Sequence, residues 1–161
     1  MIPRRIEQFI AATKLPAPAD DALAARFLDG ALLDLFRNQH PRDIVHSAAT
    51  ARWLVDRGHQ DLALIQAALL HDVGKGMQRR GDRAAWVVAK RAGLGAHLAS
   101  ERSRFELRRA LARTASHSQT SAAAMRHAGA EPPAVQLTLL HHTRQASDPM
   151  LTLLQAADAA S

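Results

Sequence analysis

The sequence predicts an all-α domain, a bundle of about seven to nine helices. Three observations favour helices over sheet. Alanine and leucine dominate the apolar residues, aromatic residues make up only 4% of the chain, and no segment is convincing as a strand. Because 161 residues suit one domain with one core, we expect a single unit with a single site.

Capping residues, prolines and glycines mark the helix boundaries. A short amphipathic helix is predicted near residues 2–10, and a second helix, capped by Asp20 or Asp21, is lined by apolar residues from Leu23 to Leu35. A third helix runs from His40-Pro41 to Gly58, and a fourth is capped by Asp61 and continues to His71. The last of these, LALIQAALLHDV, is apolar on nearly every side. It is therefore expected to be the buried central helix.

A loop marked by Gly74, Gly76 and Gly81 follows the central helix. The remaining predicted helices lie near residues 82–92, near 103–114, from His117 to a stop at Gly129, after Pro132-Pro133, and after Ser147 or Asp148 with Pro149. In the last helix, Asp158 falls on the same face as the apolar Leu151 and Leu154.

The composition excludes several kinds of site and location. The chain has no cysteine, so any metal must be held by His, Asp or Glu. Its N-terminal segment has no apolar signal region, and no run of about 18 apolar residues occurs. We therefore expect a cytoplasmic protein that neither is secreted nor spans a membrane.

Positive charge is concentrated between Arg79 and Arg113, where ten Lys and Arg face three acidic residues and leave +7. A basic face of this kind attracts phosphorylated small molecules, nucleotides or nucleic acid. A solvated helix face in an arginine-rich chain would give the same pattern, so both interpretations stay open.

Histidine and aspartate interrupt apolar helical segments at five points, and burying such groups without a partner is costly. In chain order these are His46, His71-Asp72, His117, His141-His142 and Asp158. A structural explanation exists for the central pair, in which His71 caps its own helix and Asp72 pairs with Lys75. The other histidines, at positions 40, 59, 97 and 127, are expected to be loop, cap or surface residues.

The order His46, His71-Asp72, Asp158 resembles the H…HD…D signature of the HD superfamily, and AALLHDVGKG is similar to the central motif of that superfamily. The further order His117, His141-His142, Asp158 resembles the HD-GYP branch. The resemblance covers roughly residues 40–161, the HD core, and leaves residues 1–39 as an N-terminal helical extension.

The resemblance implies a complete set of metal ligands. His46, His71, Asp72 and Asp158 would hold a first ion, and Asp72 would bridge to a second ion held by His117, His141 and His142. Lys75 would face the substrate phosphate, which makes Asp72 and Lys75 the expected catalytic residues. The ions would be one or two divalent cations such as Mn, Fe, Ni, Co, Zn or Mg.

The sequence also departs from the HD-GYP pattern. After His141-His142 it continues TRQASD, without a GYP segment, which argues against a cyclic dinucleotide as substrate. Arg42 stands where relatives with three metals have Glu, which argues against a third ion.

The expected function is hydrolysis of a phosphomonoester or phosphodiester, of nucleotide type, by a metal-bound hydroxide. One alternative is a di-iron oxygenase, since some HD-fold enzymes share this ligand order. Another is a non-catalytic metal-binding module whose arginine-rich helices bind nucleic acid or a partner protein.

Overall fold

The computed structural model describes residues 15–76, 106–143 and 147–161, and within them the protein is all-helical, as predicted. These residues form seven α-helices and one short 3-10 helix, with no strand among them. In chain order they are α1 (Pro18–Ala24), α2 (Gly30–Arg37), α3 (Pro41–Val55), α4 (Leu62–Leu70), the 3-10 helix (Val73–Lys75), α5 (Glu106–His127), α6 (Pro132–Leu140) and α7 (Pro149–Ala160).

Helix α4 is the centre of the core, as its sequence predicts. Every residue from Ala63 to Leu70 is buried. The helix packs against α3 and α7 on one side and against α6 on another, while α5 packs against α6 and the 3-10 helix. Because its whole circumference is covered, the residues that follow Leu70 emerge in the interior of the bundle.

Side chains cap the starts of α3, α4 and α7. Asp61 Oδ1 accepts a hydrogen bond from Leu64 N at 3.0 Å, and Asp148 Oδ1 accepts one from Met150 N at 2.8 Å. His40 is the N-cap of α3, and Gly58, with φ of 84°, follows its end. These predicted boundaries of α3, α4 and α7 are confirmed.

Two predicted helices have different limits. The segment from Leu23 to Leu35 is divided between α1, which ends at Ala24, and α2, which begins at Gly30 with a left-handed φ of 43°. Asp20 is not the cap residue; from the third position of α1 its Oδ2 accepts a hydrogen bond from Ala17 N at 2.9 Å.

The predicted division before His117 is absent, and α5 runs unbroken from Glu106 to His127. The segment contains neither glycine nor proline, so nothing in it interrupts the helical backbone. The helices expected near residues 2–10 and 82–92 lie outside the described residues, as does much of the Arg79–Arg113 stretch.

Two buried glutamines connect α4 to its neighbours. Gln66 donates to Phe27 O at 3.4 Å, and its Oε1 accepts from Glu131 N at 3.2 Å. Gln39 donates to Leu69 O at 3.1 Å and accepts from the Ser47 hydroxyl at 3.3 Å. These bonds fix the C-terminal end of α4, where the polar cluster begins. None of the helices in the described part of the chain has the length and apolar character needed to cross a membrane.

Candidate metal centre

Two helices end in the same way, with the sequence Leu-Leu-His. His71 follows α4 and its Nδ1 lies 3.0 Å from Ala68 O; His141 follows α6 and its Nδ1 lies 2.6 Å from Thr138 O. A ring nitrogen that faces a carbonyl donates its proton to it, which leaves Nε2 of the neutral ring as the available ligand atom. Both side chains are thereby fixed with Nε2 towards the interior.

The first ligand group consists of His46, His71 and Asp72, whose ligand atoms all lie within 4.8 Å of one another. Asp72 Oδ2 is 3.5 Å from His71 Nε2 and 3.9 Å from His46 Nε2. Asp158 joins them from α7, since its Oδ1 lies 2.9 Å from His46 Nε2 and 3.6 Å from His71 Nε2. These four residues are the set that the resemblance to the HD superfamily implies for the first ion.

The second ligand group consists of His117, His141 and His142, also within 4.8 Å of one another. His117 Nε2 lies 3.1 Å from His142 Nε2. Asp72 faces this group too, because its Oδ1 is 3.6 Å from His117 Nε2. The Asp72 carboxylate therefore lies between the two groups and presents one oxygen to each.

Several buried polar atoms of this cluster have no hydrogen-bond partner. Within the described part of the chain, four buried side-chain atoms are in this condition, and three of them are His71 Nε2, Asp72 Oδ1 and His141 Nε2. Leaving such atoms unsatisfied costs about 1–3 kcal/mol each. Imidazole nitrogens and carboxylate oxygens are ligands for divalent transition metals, so the donor set fits one or two such ions.

Lys75 does not face an open position in this structure. Its ammonium group hydrogen-bonds to Asp72 Oδ2, and its backbone N–H donates to Asp72 O at 2.9 Å. The alternative that the sequence left open, a pair between Asp72 and Lys75, is therefore present together with the histidine cluster.

The protonation states suit metal binding. Burial, reinforced by the charges of His71 and His117, lowers the pKa of His141 to about 4. His142 is exposed, but partial desolvation beside His141 lowers its pKa to about 4 as well. Burial alone would raise the pKa of Asp72, but the charges of His71 and Lys75 outweigh it and hold that pKa below its usual range. Neutral imidazoles and ionised carboxylates are the forms that bind metal.

The pKa values of Asp158 and His71 follow from their pairing. Partial burial would raise the pKa of Asp158, but the hydrogen bond to His46 and the neighbouring His71 lower it well below its usual range. Burial would lower the pKa of His71, but Asp72 and Asp158 overcome this and raise it. His71 thus holds a proton more firmly than His141 and His142 as long as it faces these carboxylates alone.

Three polar residues that the sequence analysis did not select hold the cluster in place. Gln155 Nε2 donates to His141 O at 3.0 Å and to Thr143 O at 2.9 Å. The Ser121 hydroxyl accepts from Gly74 N at 2.8 Å. Gln39 supports the last turn of α4. Gln155 interrupts the apolar sequence of α7, which is the signal by which it could have been found, whereas Ser121 in the polar helix α5 and Gln39 between α2 and α3 carry no such signal.

The other histidines take no part in either ligand group of the described residues. His40 caps α3, and its Nδ1 accepts from Arg42 N at 3.3 Å. His127 is exposed at the end of α5, and His59 is half-buried after α3. His97 lies outside the described residues.

A cavity of about 130 Å³ borders Asp72 on the side of α2, α3 and α5. Its lining is mostly polar or small, and it includes two carboxylates. The polar side chains among the lining residues are Asn38, Gln39, His40, Asp43, Asp72 and Thr120.

The arrangement as a whole is two groups of histidines that share one buried carboxylate, assembled from α3, the end of α4, α5, the end of α6, and α7. No family model, curated protein or solved structure matches this chain. The resemblance to the HD superfamily therefore stays a prediction from the sequence, and the site is described by its own geometry.

Proposed function

We propose that this protein is a metal-dependent phosphohydrolase of the HD type. The observation that carries the proposal is the position of Asp72, a carboxylate with a side chain only 1% exposed whose two oxygens face separate histidine groups. A carboxylate shared in this way is suited to bridge two cations. A purely structural role would leave the unpaired Asp72 Oδ1 and histidine nitrogens without an explanation.

Each group of residues would have a defined role. His46, His71, Asp72 and Asp158 would hold one divalent cation, and His117, His141 and His142 would hold the other with Asp72 between them. Bound there, such ions supply Lewis-acid activation of a phosphoryl group and a nucleophilic water at neutral pH. No serine or cysteine nucleophile is needed, and the chain has no cysteine.

The chain's own groups would orient the reaction. The carbonyl bonds of His71 and His141 fix the direction of the ligand atoms, so little reorganisation is needed when a cation enters. Asp72 stays ionised because its neighbours lower its pKa. The Lys75 ammonium group, which hydrogen-bonds to Asp72, is suited to pair with negative charge on a phosphoryl oxygen.

The substrate class is a phosphomonoester or phosphodiester, of nucleotide type. The net charge of +6 favours an anionic substrate.

Metal content is the first test. Elemental analysis of protein purified without a metal-affinity tag should find one or two equivalents of transition metal, and the Asp72→Ala variant should lose them. A screen of phosphomonoesters and phosphodiesters should then be run with Mn²⁺, Fe²⁺, Ni²⁺ and Co²⁺. Circular dichroism of both proteins serves as the control for folding.

The outcomes separate the proposal from its alternatives. Absence of activity with every ion and ester class would refute hydrolysis. Oxygen uptake by iron-loaded protein with an organophosphonate or polyol would instead assign an oxygenase. Salt-dependent nucleic-acid binding that survives folded His71→Ala and Asp72→Ala variants, without metal in the wild type, would assign a binding module.

A further inference from the structure

Lys75 holds the Asp72 oxygen that a metal cation would need in the first ligand group. Its ammonium group hydrogen-bonds to Asp72 Oδ2, which is the oxygen that also faces His71 Nε2 at 3.5 Å and His46 Nε2 at 3.9 Å. A transition metal bound by these residues would lie about 2.0–2.2 Å from the same oxygen. Two cations within bonding distance of one buried oxygen repel each other strongly.

The structure also explains why a cation is held there. The Asp72 side chain is 1% exposed, and an ionised carboxylate at that depth needs a countercharge. The nearby histidines supply it only when they are protonated, whereas a lysine is charged throughout the physiological range. Lys75 is three residues after Asp72, across one turn of the 3-10 helix, which brings its ammonium group back onto the carboxylate.

Lys75 can leave this position without disturbing the fold. Its side chain is 20% exposed, so part of it already reaches solvent. The turn itself is closed by backbone groups, with Lys75 N–H donating to Asp72 O and Gly74 N–H donating to Ser121, and neither bond involves the ammonium group. A rotation of the side chain is therefore sufficient to free Asp72 Oδ2.

We propose that Lys75 is a displaceable internal counter-ion of the metal centre: it neutralises Asp72 before loading, is displaced when a cation enters between Asp72, His71 and His46, and is then free to pair with the anionic substrate. This inference rests on the metal binding of the proposed function and adds the order in which the cation and the substrate bind. The cation enters first, and the site for the substrate phosphate is completed only afterwards.

The test measures Zn²⁺ affinity by competition with a chromophoric chelator, for wild type and three folded variants. Lys75→Met removes the competitor, Lys75→Arg keeps the charge, and Arg126→Gln removes an equal charge from an exposed position at the end of α5. We expect Lys75→Met to bind the first Zn²⁺ about tenfold to a hundredfold more tightly, which is the contribution typical of a hydrogen-bonded charged competitor. The Zn²⁺ affinity of Lys75→Arg and of Arg126→Gln should stay within about threefold of the wild-type value, because the first keeps the competing charge and the second removes only an exposed, screened one.

Equal or weaker Zn²⁺ binding by Lys75→Met would overturn the proposal and leave the metal centre itself intact. If no folded protein of the series binds Zn²⁺, the metal centre of the proposed function is refuted as well. The two failures are therefore distinguishable.

A second measurement uses the wild type and does not depend on a variant folding. Limited acetylation, mapped by mass spectrometry against a peptide standard, reports how freely the Lys75 amine reacts. Displacement predicts that Lys75 reacts several-fold faster after Zn²⁺ loading than in chelator. A rate that is unchanged or reduced by Zn²⁺ would show that the ammonium group stays on Asp72, against the proposal.

Discussion

Replacing Gly74 with alanine is expected to separate the turn that carries Asp72 from helix α5. A Cβ atom at position 74 would lie 2.5 Å from His117 O, 2.6 Å from Ser121 N and 2.8 Å from Thr120 Cβ. Two of these atoms belong to the helix backbone and cannot rotate away. The shortest ordinary contact is 3.4 Å, so the turn and the helix must move apart by about 0.9 Å.

That movement should reduce both stability and metal binding. Overpacking of a close contact costs about 1–3 kcal/mol, and weakening of the bond from Gly74 N–H to Ser121 adds to it. A cost of about 3 kcal/mol lowers the melting temperature of a domain of this size by roughly 6–12 °C. The same displacement lengthens the 3.6 Å separation of Asp72 Oδ1 and His117 Nε2, so the shared carboxylate would no longer reach both groups.

The assay combines thermal unfolding in chelator with Zn²⁺ stoichiometry, and Gly58→Ala is the matched control. Gly58 has φ of 84° but no atom within 4 Å of an added Cβ, so its substitution costs backbone strain of about 1–2 kcal/mol without touching the site. We expect Gly58→Ala to keep full Zn²⁺ stoichiometry and Gly74→Ala to lose part of it. If Gly74→Ala melts and binds Zn²⁺ as the wild type does, the close approach of the turn to α5 is wrong.

Three further predictions concern the ligand residues and their supports. Gln155→Leu should weaken Zn²⁺ binding at the His141 and His142 group by about 10- to 100-fold, the effect typical of removing a residue that orients a ligand. Gln136→Leu, at an exposed position of α6, is the control and should not weaken Zn²⁺ binding. Equal effects of the two substitutions would refute the positioning role of Gln155. Asp72→Asn should abolish binding of a second equivalent of Zn²⁺ because the bridging charge is lost, and two equivalents retained in titration calorimetry would contradict the shared carboxylate. In chelator, stability should fall as pH is lowered from 6.5 towards 4. Because the pKa of His141 is about 4 in the folded protein, only the unfolded chain takes up a proton at this histidine over that range, which lowers the free energy of unfolding by at most about 3 kcal/mol. A denaturation midpoint that is flat over this range would exclude a buried neutral His141, since the raised pKa of His71 adds dependence only above pH 6.5.

Much of the fold could be predicted because its signals are local. The run from Leu62 to Leu70 is apolar on every side, and a helix of that kind must be buried. Pro41, Asp61 and Asp148 mark helix starts through groups within a few residues of themselves. The break between α1 and α2 was missed because helical periodicity continues across it, and the left-handed backbone at Gly30 is only one of the conformations open to a glycine.

The candidate site, too, could be predicted only where its signals are local in the sequence. Histidines and aspartates inside apolar segments could be identified from the sequence, since burying them needs a partner. The supports could not, because their partners are backbone atoms that are remote in the chain: Ser121 bonds Gly74 N–H across 47 positions, and Gln155 bonds a carbonyl 14 positions away. The pairing of Lys75 with Asp72 was foreseen only as an alternative to metal binding, whereas the structure has the pair inside the cluster of ligands.

The bond between His46 Nε2 and Asp158 Oδ1 joins residues 112 positions apart. During synthesis, His46, His71 and Asp72 leave the ribosome long before Asp158 is added, and the second group is itself complete only at His142. A nascent chain that lacks α7 therefore carries an incomplete set of donors. The full set forms only when α7 has been synthesised and has docked, so a cation that binds all of these donors reports that every contributing helix is in place.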